Sequence, residues 1–384
     1  MDLKKLIPLY VGAAVGPLGG FGVVAIVPVF AGVWSIDFAE ASLAITFYMI
    51  PFVAIQIVSG PIAHLFDARR TVLAGFGIYT LGGIACALAD TFPFLIAGRM
   101  IQGTGGAFLN PVIMAMVGNV VPARHLGKAM GGLGLAYTAG VTLGPAISGV
   151  LEVRYGWQGF FYFLSILSAA TAVSFSIWCR DVSQKADTRQ SLFGVFPLIR
   201  QAFFHRGVLV LSAAAFSLFV AYIGIMTFTA DYLKTGFSLP SDRIGFLLSL
   251  TGFSGLIMAP VAGVLGDRYG RHTVFAGGMI VMLAALGLML LLPFHYGHYM
   301  ILFLLLGVGS ATGWTSLNTM AVEASPELRA PVISVYNTIK FSGYALSPVI
   351  LSFFYSDGRL TAVRLACGAA IIFSLILTLR MRHS

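Results

Sequence analysis

The chain has 384 residues, of which 58% are hydrophobic and only 10% are charged. This composition leaves too little polar surface to coat a water-soluble particle, and it excludes a soluble enzyme or binding domain. The net charge of +9 falls mostly in short loops between apolar runs, where basic residues set membrane orientation, so no nucleic-acid partner is expected.

Apolar runs of about 20 residues, the length with which an α-helix crosses a bilayer, follow one another along the chain. They predict an all-α polytopic membrane protein with twelve transmembrane helices. We read the first run as a retained span and not as a cleaved signal sequence, because the apolar pattern continues. The predicted helices cover residues 6–30, 41–65, 71–89, 94–119, 128–151, 157–179, 207–230, 244–266, 273–292, 299–322, 331–355 and 360–380.

One long polar segment, residues 180–206, separates six predicted spans from six more. It predicts an N-terminal six-helix bundle over residues 1–179, a cytoplasmic linker with an amphipathic latter part, and a C-terminal bundle over residues 207–384. GPIAHLFDARRTVL from Gly60 resembles GVLGDRYGRHTVF from Gly263, and matching positions lie 202 to 208 residues apart. This repeat predicts two pseudo-symmetric bundles with a site between them.

Charge asymmetry predicts the orientation. With a cytoplasmic N-terminus, sixteen basic residues lie in cytoplasmic segments and five in outer segments, so both termini are expected to be cytoplasmic. The short loops and the lack of a targeting extension favour the plasma (inner) membrane of a bacterium or archaeon. We expect a monomer.

The turn between the eighth and ninth predicted spans reads GVLGDRYGR from Gly263 to Arg271. It fits the loop signature G-x-L-x-D-R-x-G-R of the major facilitator superfamily, which the chain resembles over nearly its full length. The resemblance implies that this loop, with Asp267 and Arg268, helps to hold one conformational state. Gly263 is expected to permit close helix approach, Gly270 a tight turn, and Asp267 a contact with a helix N-terminus or an arginine.

The equivalent turn of the first half departs from the signature. His64 stands at the acidic position, and Asp67 and Arg69 follow in a turn that is one residue longer. Asp67 substitutes for the missing acid, or the second turn alone acts as the latch, or the basic turns serve only topology.

The segment GRMIQGTGG, from Gly98 to Gly106, is similar to the R-x-x-Q-G-x-G segment of the superfamily. It places Arg99 about five residues into a span, roughly 8 Å deep. The resemblance implies a cavity cation in the coupling machinery, and the alternative is that Arg99 snorkels to the outer interface.

The segment GVTLGPAISG, from Gly140 to Gly149, is close to the G-x-x-x-G-P-x-x-G-G segment of the antiporters of this superfamily, with Ser148 in place of one glycine. The glycines, including Gly144, predict a groove for close helix approach, and Pro145 permits a kink. WQGFF follows at the interval usual for drug exporters, so the resemblance implies the twelve-span drug/proton antiporter group. Ordinary packing of small residues is the alternative.

The acidic residues all fall at the ends of predicted spans or in loops. This is unusual for a proton-driven cation exporter, which ordinarily uses a carboxylate inside its cavity. Asp231 and Glu40, near outer span ends, are the nearest substitutes, and each is read first as a solvated helix-end charge.

Lys340 lies about ten residues into the eleventh predicted span. A lipid-facing lysine at that depth would cost roughly 2.5 to 3.5 kcal/mol. We therefore expect Lys340 either to neutralise an anionic substrate or to exchange a proton itself, with pairing to backbone carbonyls as the alternative.

Further polar residues on spans that line the cavity in this superfamily are candidate substrate contacts, although each is equally read as packing between helices. They are Tyr48, Gln56, Asn110, Tyr222, Thr315, Asn318, Tyr336 and Asn337. The cysteines and the His295 and His298 pair do not form a metal-ligand pattern, so neither a metal nor a cofactor is expected.

The sequence contains no phosphate-binding loop and no nucleophile-elbow or zinc-protease motif, so an enzyme or ATP-driven pump is not expected. The first hypothesis is a secondary transporter that exports small amphipathic drugs or metabolites in exchange for protons by alternating access. The alternatives are a symporter or uniporter of an anionic metabolite, motivated by Arg99 and Lys340, a lipid flippase, and a non-transporting membrane receptor.

Overall fold

The computed structural model describes residues 3–65, 67–180, 192–355 and 360–381, and the regular secondary structure of these residues is entirely helical. The prediction of an all-α polytopic membrane protein is confirmed. The α-helices are α1 Leu3–Gly22, α2 Val27–Trp34, α3 Phe38–Leu65, α4 Ala68–Ala87, α5 Phe92–Val120, α6 Ala123–Tyr155, α7 Trp157–Trp178, α8 Leu192–Phe204, α9 Arg206–Phe237, α10 Ser241–Tyr269, α11 Arg271–Leu291, α12 Tyr296–Glu323, α13 Arg329–Ser352 and α14 Leu360–Met381.

Eleven spans in the described part of the chain are long and apolar enough to cross a membrane. The first of them continues from α1 through a 3₁₀ turn at Val23–Ala25 towards α2. α13 is not among the eleven, but its 24 residues extend about 36 Å at 1.5 Å per residue, and it packs along α3 and α9. It completes the predicted set of twelve spans.

The helices pack in two groups. In the first half α1 packs on α6, α3 on α5, and α4 on α5 and α7; in the second half α9 packs on α13 and α14, and α12 on α10 and α11. The halves meet along two seams, α6 with α10 and α3 with α13. The linker residues 192–204 form α8, which packs against α13.

Successive spans reverse direction, so the start of α1 and the end of α14 lie on one face of the bundle, which we name the termini face. The opposite face, the far face, carries the turns after α2, α4, α6, α9 and α11. Contacts between the halves concentrate towards the far face. There the Tyr344 hydroxyl donates to the carbonyl oxygen of Gly20 at 3.0 Å, and the Thr46 hydroxyl donates to that of Ala345 at 2.8 Å.

The seam between α6 and α10 is closed towards the far face and open towards the termini face. A Cβ atom on Gly252 would overlap Thr142 of the other helix. Gly131 of α6 and Gly263 of α10 each lie eleven residues, about three helical turns, from this contact in the direction of the termini face. A Cβ on either of these glycines would meet nothing within 4 Å. The two halves therefore splay apart towards the termini face.

Several helices extend beyond their predicted ends. α6 begins at Ala123 and not at residue 128, and α9 continues to Phe237, past the predicted end at residue 230. The prediction stopped each span where charged residues appear, but backbone hydrogen bonding continues past the apolar stretch. The extension of α9 places Asp231 inside a helix and not at its end.

We predict that Gly245→Ala opens the far face. A Cβ at Gly245 would overlap the carbonyl oxygen of Pro145 across the α6–α10 seam, so the two helices must separate there. Spin labels on cysteines introduced at the exposed residues Arg154 and Arg243, at the far ends of α6 and α10, should show a longer mean distance in this variant.

Gly277→Ala on α11 is the matched control, because a Cβ there meets nothing within 4 Å. This control should leave the label distance unchanged and should favour the helix by up to about 1 kcal/mol. An unchanged distance in Gly245→Ala would show that the seam does not depend on this close approach.

Candidate functional site

Arg99 on α5 is completely buried, with 0% of its surface exposed. Its Nε donates to the carbonyl oxygen of Ala44 at 3.0 Å, and its Nη1 donates to Gln102 Oε1 at 2.6 Å and more weakly to the carbonyl oxygen of Gly19 at 3.4 Å. The alternative that Arg99 snorkels to the interface is therefore wrong. The guanidinium points inward and ties α5 to α1 and α3.

A row of aromatic rings leads from Arg99 to the other half of the protein. The Arg99 Cζ lies 4.2 Å from the centre of the Tyr48 ring, Tyr48 stacks with Phe52 at 6.2 Å between centroids, and Phe52 meets Phe341 edge-on at 5.8 Å. Tyr48, Phe52 and Phe341, here the aromatic row, cross the seam between α3 and α13. Ring faces attract cations, so the row contacts a buried cation at each end.

Lys340, at the second end of the row, is 7% exposed. Its Nζ lies 4.7 Å from the centre of the Phe341 ring, 5.1 Å from that of Tyr336 and 5.7 Å from that of Phe219. Within the described residues it has neither a carboxylate nor a carbonyl partner, so the alternative of pairing with backbone carbonyls is not observed. An ammonium group carries three donors, and these remain available to an acceptor on a ligand.

The rings around Lys340 are supported by polar residues of α9 and α10. Trp314 contacts Phe219 at 5.5 Å and Tyr222 at 5.1 Å between centroids, and the Tyr222 hydroxyl shares a 2.9 Å hydrogen bond with the Thr251 hydroxyl. The buried Tyr336 hydroxyl has no partner among the described residues. We name Phe219, Tyr222, Trp314, Tyr336 and Lys340 the Lys340 cluster.

The other candidate contacts are less closely grouped. Asn110 lines a cavity of about 20 Å³ with Tyr48 and Phe341, close to the smallest volume that holds one water molecule. Gln56 and Asn337 are half-buried, and Asn318 is exposed. The structure therefore gathers Tyr222 and Tyr336 around Lys340, and it places Asn110 beside the aromatic row.

Asp231 is 5% exposed, so its interpretation as a solvated helix-end charge is wrong. The Tyr355 hydroxyl donates to its Oδ2 at 2.5 Å. Phe38, from the first half, contacts both Phe228 and Tyr355, at 5.5 and 5.7 Å between centroids, and closes this site at the far face. Glu40, the other candidate, is exposed as expected.

The turn with the family loop signature is held within the second half. Gly270 adopts φ +87°, as the predicted tight turn requires. The Arg271 guanidinium pairs with Asp267 at 2.5 Å and with Glu323 of α12 at 3.4 Å, and donates to the carbonyl oxygen of Gly263 at 3.2 Å. The expected close helix approach at Gly263 is absent, because the seam is open on this face.

Three further charged residues of the two turns, Arg268, Asp67 and Arg69, have local partners. The Arg268 guanidinium lies 5.2 Å from the centre of the Tyr269 ring. In the first turn the Asp67 carboxylate caps α4 by accepting from the Arg70 amide at 3.0 Å, and Arg69 donates to the carbonyl oxygen of Ser176 at 3.1 Å. Asp67 therefore has a capping role in this conformation.

The segment that resembles the antiporter motif forms close helix contacts. A Cβ on Gly140 or Gly144 would overlap the backbone of α1, and a Cβ on Gly149 would overlap the backbone of α10. Pro145 lies within α6, and the Ser148 hydroxyl donates to the carbonyl oxygen of Gly22 at 2.6 Å. Ser148 therefore adds a hydrogen bond between α6 and α1, which a glycine at this position could not form.

The sequence reasoning missed a third buried cation. Arg364 on α14, one of the five basic residues that the sequence analysis assigns to the outer segments, is buried. It donates to the carbonyl oxygen of Met289 at 2.5 Å and to the Tyr299 hydroxyl at 2.7 Å, and lies over the Tyr232 ring. Arg364 lies only four residues from the start of α14, and a basic residue so close to the end of a span is ordinarily expected at the interface.

The Major Facilitator Superfamily model matches residues 9–348 and 225–383 of the chain, and the chain belongs to this family. The uncharacterized MFS-type transporter YwfA of Bacillus subtilis (strain 168) is 25% identical over 362 residues, covering 92% of this chain and 86% of YwfA. The riboflavin transporter RibZ of Clostridioides difficile (strain 630) is 22% identical over 382 residues, covering 86% of this chain and 83% of RibZ.

Solved structures show the same fold. The crystal structure of a mutant of the peptide transporter POT with alafosfalin has a TM-score of 0.81 at 16% identity, covering 99% of this chain and 94% of that one. A POT family transporter in complex with 5-aminolevulinic acid has a TM-score of 0.78 at 15% identity, covering 98% and 95%. The chain is thus a multi-pass membrane transporter of small molecules and not an enzyme.

We predict that Arg99→Ala destabilises the protein by about 3 kcal/mol, because it leaves the Gln102 amide and the carbonyl acceptors unpaired and opens a void beneath Tyr48. The unfolding temperature in detergent, followed by size-exclusion chromatography, should fall clearly. Arg154→Ala, which removes an exposed arginine, is the control and should stay within about 0.5 kcal/mol. Equal unfolding temperatures for the two variants would contradict a structural role for Arg99.

Proposed function

We propose that the protein is a secondary transporter of the plasma membrane that exports small amphipathic compounds in exchange for protons, as a monomer. The observation that carries this proposal is Lys340, a buried cation among aromatic rings whose donors have no acceptor in the described residues. A compound with a flat apolar part and an electronegative or anionic group fits this cluster, because rings stack on the former and the ammonium binds the latter.

The open face supports loading from the cytoplasm. The excess of basic residues on the termini face favours a cytoplasmic position for it, so the splayed seam opens the space between the halves to the cytoplasm. An exporter takes up its substrate from that side. Closure of this face and opening of the far face would then release the substrate outside.

Asp231 supports proton coupling. It is a buried carboxyl group that accepts a hydrogen bond from the Tyr355 hydroxyl, and Phe38 of the other half packs against the ring of that tyrosine. Opening of the far face moves Phe38 away and admits water to the carboxyl group. Proton exchange with the outside is thereby restricted to one conformational state.

The similarity to a riboflavin transporter supports a planar substrate, since riboflavin combines a flat ring system with many hydrogen-bond acceptors. Transport of an anionic metabolite by symport or uniport is the second candidate. The described contacts of Lys340 and Arg99 include no carboxylate. Two cations without a carboxylate partner favour the binding of an anion over that of a cation.

The function is tested with purified protein in liposomes that contain a pH-sensitive dye. Lipophilic cations, riboflavin and organic anions are added in turn, and both proton movement and uptake of the labelled compound are recorded. Proton movement opposite to an amphipathic compound supports the exporter. Flux of organic anions, either without proton movement or with protons moving in the same direction, supports the second candidate, and the absence of any flux would contradict both.

We predict that Lys340→Met reduces transport of the best substrate about tenfold to a hundredfold, because a hydrogen bond to a charged group contributes about 1.5 to 3 kcal/mol. Methionine keeps the length and the apolar contacts with the rings. The initial rate of labelled substrate uptake is the measurement. Lys128→Met, which removes an exposed lysine of α6, should transport at the wild-type rate. Equal rates for both variants would remove Lys340 from the site.

We predict that Asp231→Asn abolishes proton movement but retains exchange of labelled for unlabelled substrate. Asparagine keeps the shape and the hydrogen bond with Tyr355, but it cannot release a proton. Glu40→Gln removes a carboxyl group that is exposed at the same face and is expected to leave proton movement intact. Proton movement that survives in Asp231→Asn would assign the carrier to another group.

A further inference from the structure

A second cavity lies away from the Lys340 cluster, at the end of the α3–α13 seam nearer to the termini face. Its volume is about 270 Å³, and α8 covers one side of it. The lining is apolar apart from one arginine and Thr338, whose hydroxyl donates to the carbonyl oxygen of Ser334 on its own helix. The principal lining residues are Ile57, Ile199, Arg200, Phe203, Val335 and Ile339.

This cavity opens towards the bilayer at the outer edge of the α3–α13 seam and not towards the Lys340 cluster. Ile339 shares one side of α13 with Leu346, two turns further on and 39% exposed. On α3, Ile57 shares a side with Ile50, two turns away and 44% exposed. Lys340 points instead towards Phe219 of α9. The exposed sides of both spans are those that meet lipid.

α8 has the character of a helix that lies in the membrane interface. Ala202 is buried against Val332 and Val335 of α13, whereas Phe203 and Phe204 are 44% and 69% exposed. The neighbouring Arg200 is exposed, and its guanidinium lies 6.0 Å from the centre of the Phe204 ring. Apolar side chains beside an arginine suit the boundary between acyl chains and headgroups.

We propose that this cavity binds one acyl chain of an anionic phospholipid, whose phosphate is held by Arg200. The apolar walls match the chain, and the guanidinium at the rim matches a phosphate group. No acidic side chain lines the cavity to oppose an anion. Arg206, which is exposed at the start of α9, adds to the positive charge at this end.

The bound lipid has a conformational consequence, because the cavity is shared between the halves. Ile57 belongs to α3 of the first half, while Val335 and Ile339 belong to α13 of the second. The lipid occupies the seam on the face where the halves are splayed. It therefore stabilises the state that is open on the termini face.

The test is native mass spectrometry of the full chain purified in detergent and supplied with phosphatidylglycerol or phosphatidylcholine. The wild type should retain one phosphatidylglycerol about fivefold more strongly than phosphatidylcholine, the contribution of one arginine near an anionic headgroup. Arg200→Gln should lose this preference. Ile339→Trp, which fills the cavity, should lose the bound lipid altogether.

The controls are the same kinds of substitution at positions outside the cavity. Arg124→Gln removes an exposed arginine at the termini end of α6, and Ile301→Trp alters a lipid-facing site on α12; both should bind lipid as the wild type does. Equal retention of the two lipids by the wild type, or an unchanged preference in Arg200→Gln, would overturn the proposal. Arg200 is exposed, so its substitution leaves the fold intact and decides the outcome even where Ile339→Trp fails to fold.

Discussion

The organisation of this transporter depends on how polar and aromatic groups of the protein replace water around its buried cationic side chains. Arg99 and Arg364 are both buried, and each directs its guanidinium at backbone carbonyl oxygens and a polar side chain. Carbonyl oxygens in helices have a second lone pair beyond their helical hydrogen bond, so these arginines join neighbouring helices, although Arg99 Nη2 and Arg364 Nε are buried without a hydrogen-bond partner among the described residues. Lys340 is different because the described contacts of its ammonium group are with the faces of aromatic rings. A lysine without an acceptor is costly inside a membrane span, so the position of Lys340 is the strongest sign of a binding role.

The closed far face is held by contacts that are individually weak. In the described residues, hydrogen bonds of Tyr344, Thr46 and Ser249 join the halves, and each contributes about 0.5 to 1.5 kcal/mol. Close backbone approach at Gly245 and Gly252 adds dispersion contacts without interlocking side chains. Such a seam separates without unfolding either half. A ligand that prefers one state by a few kcal/mol is sufficient to shift the balance.

The spans were predictable from the length of apolar runs, but charge burial was not. Depth alone does not tell whether Arg99 points to the interface or inward, because its acceptors belong to α1 and α3. Asp231 was misread because α9 continues beyond its apolar stretch and because Phe38 and Tyr355, remote in sequence, cover the carboxyl group. At Lys340 the contact with Tyr336 follows from a spacing of four residues on one helix. The contact with Phe219 requires the packing of two helices.

Substrate and proton need not meet for their movements to be coupled in the proposed exchange. The aromatic row crosses the α3–α13 seam at Phe52 and Phe341, beside Lys340, and Phe38 crosses the far face to cover Asp231. The same rocking motion that separates the halves there breaks both contacts. A substrate at Lys340 and a proton at Asp231 therefore each bias one conformational equilibrium, and by linkage each changes the affinity for the other by the same factor. In this arrangement the absence of a carboxylate from the central cavity is compatible with proton-coupled transport, because coupling passes through the seam and not through a shared site.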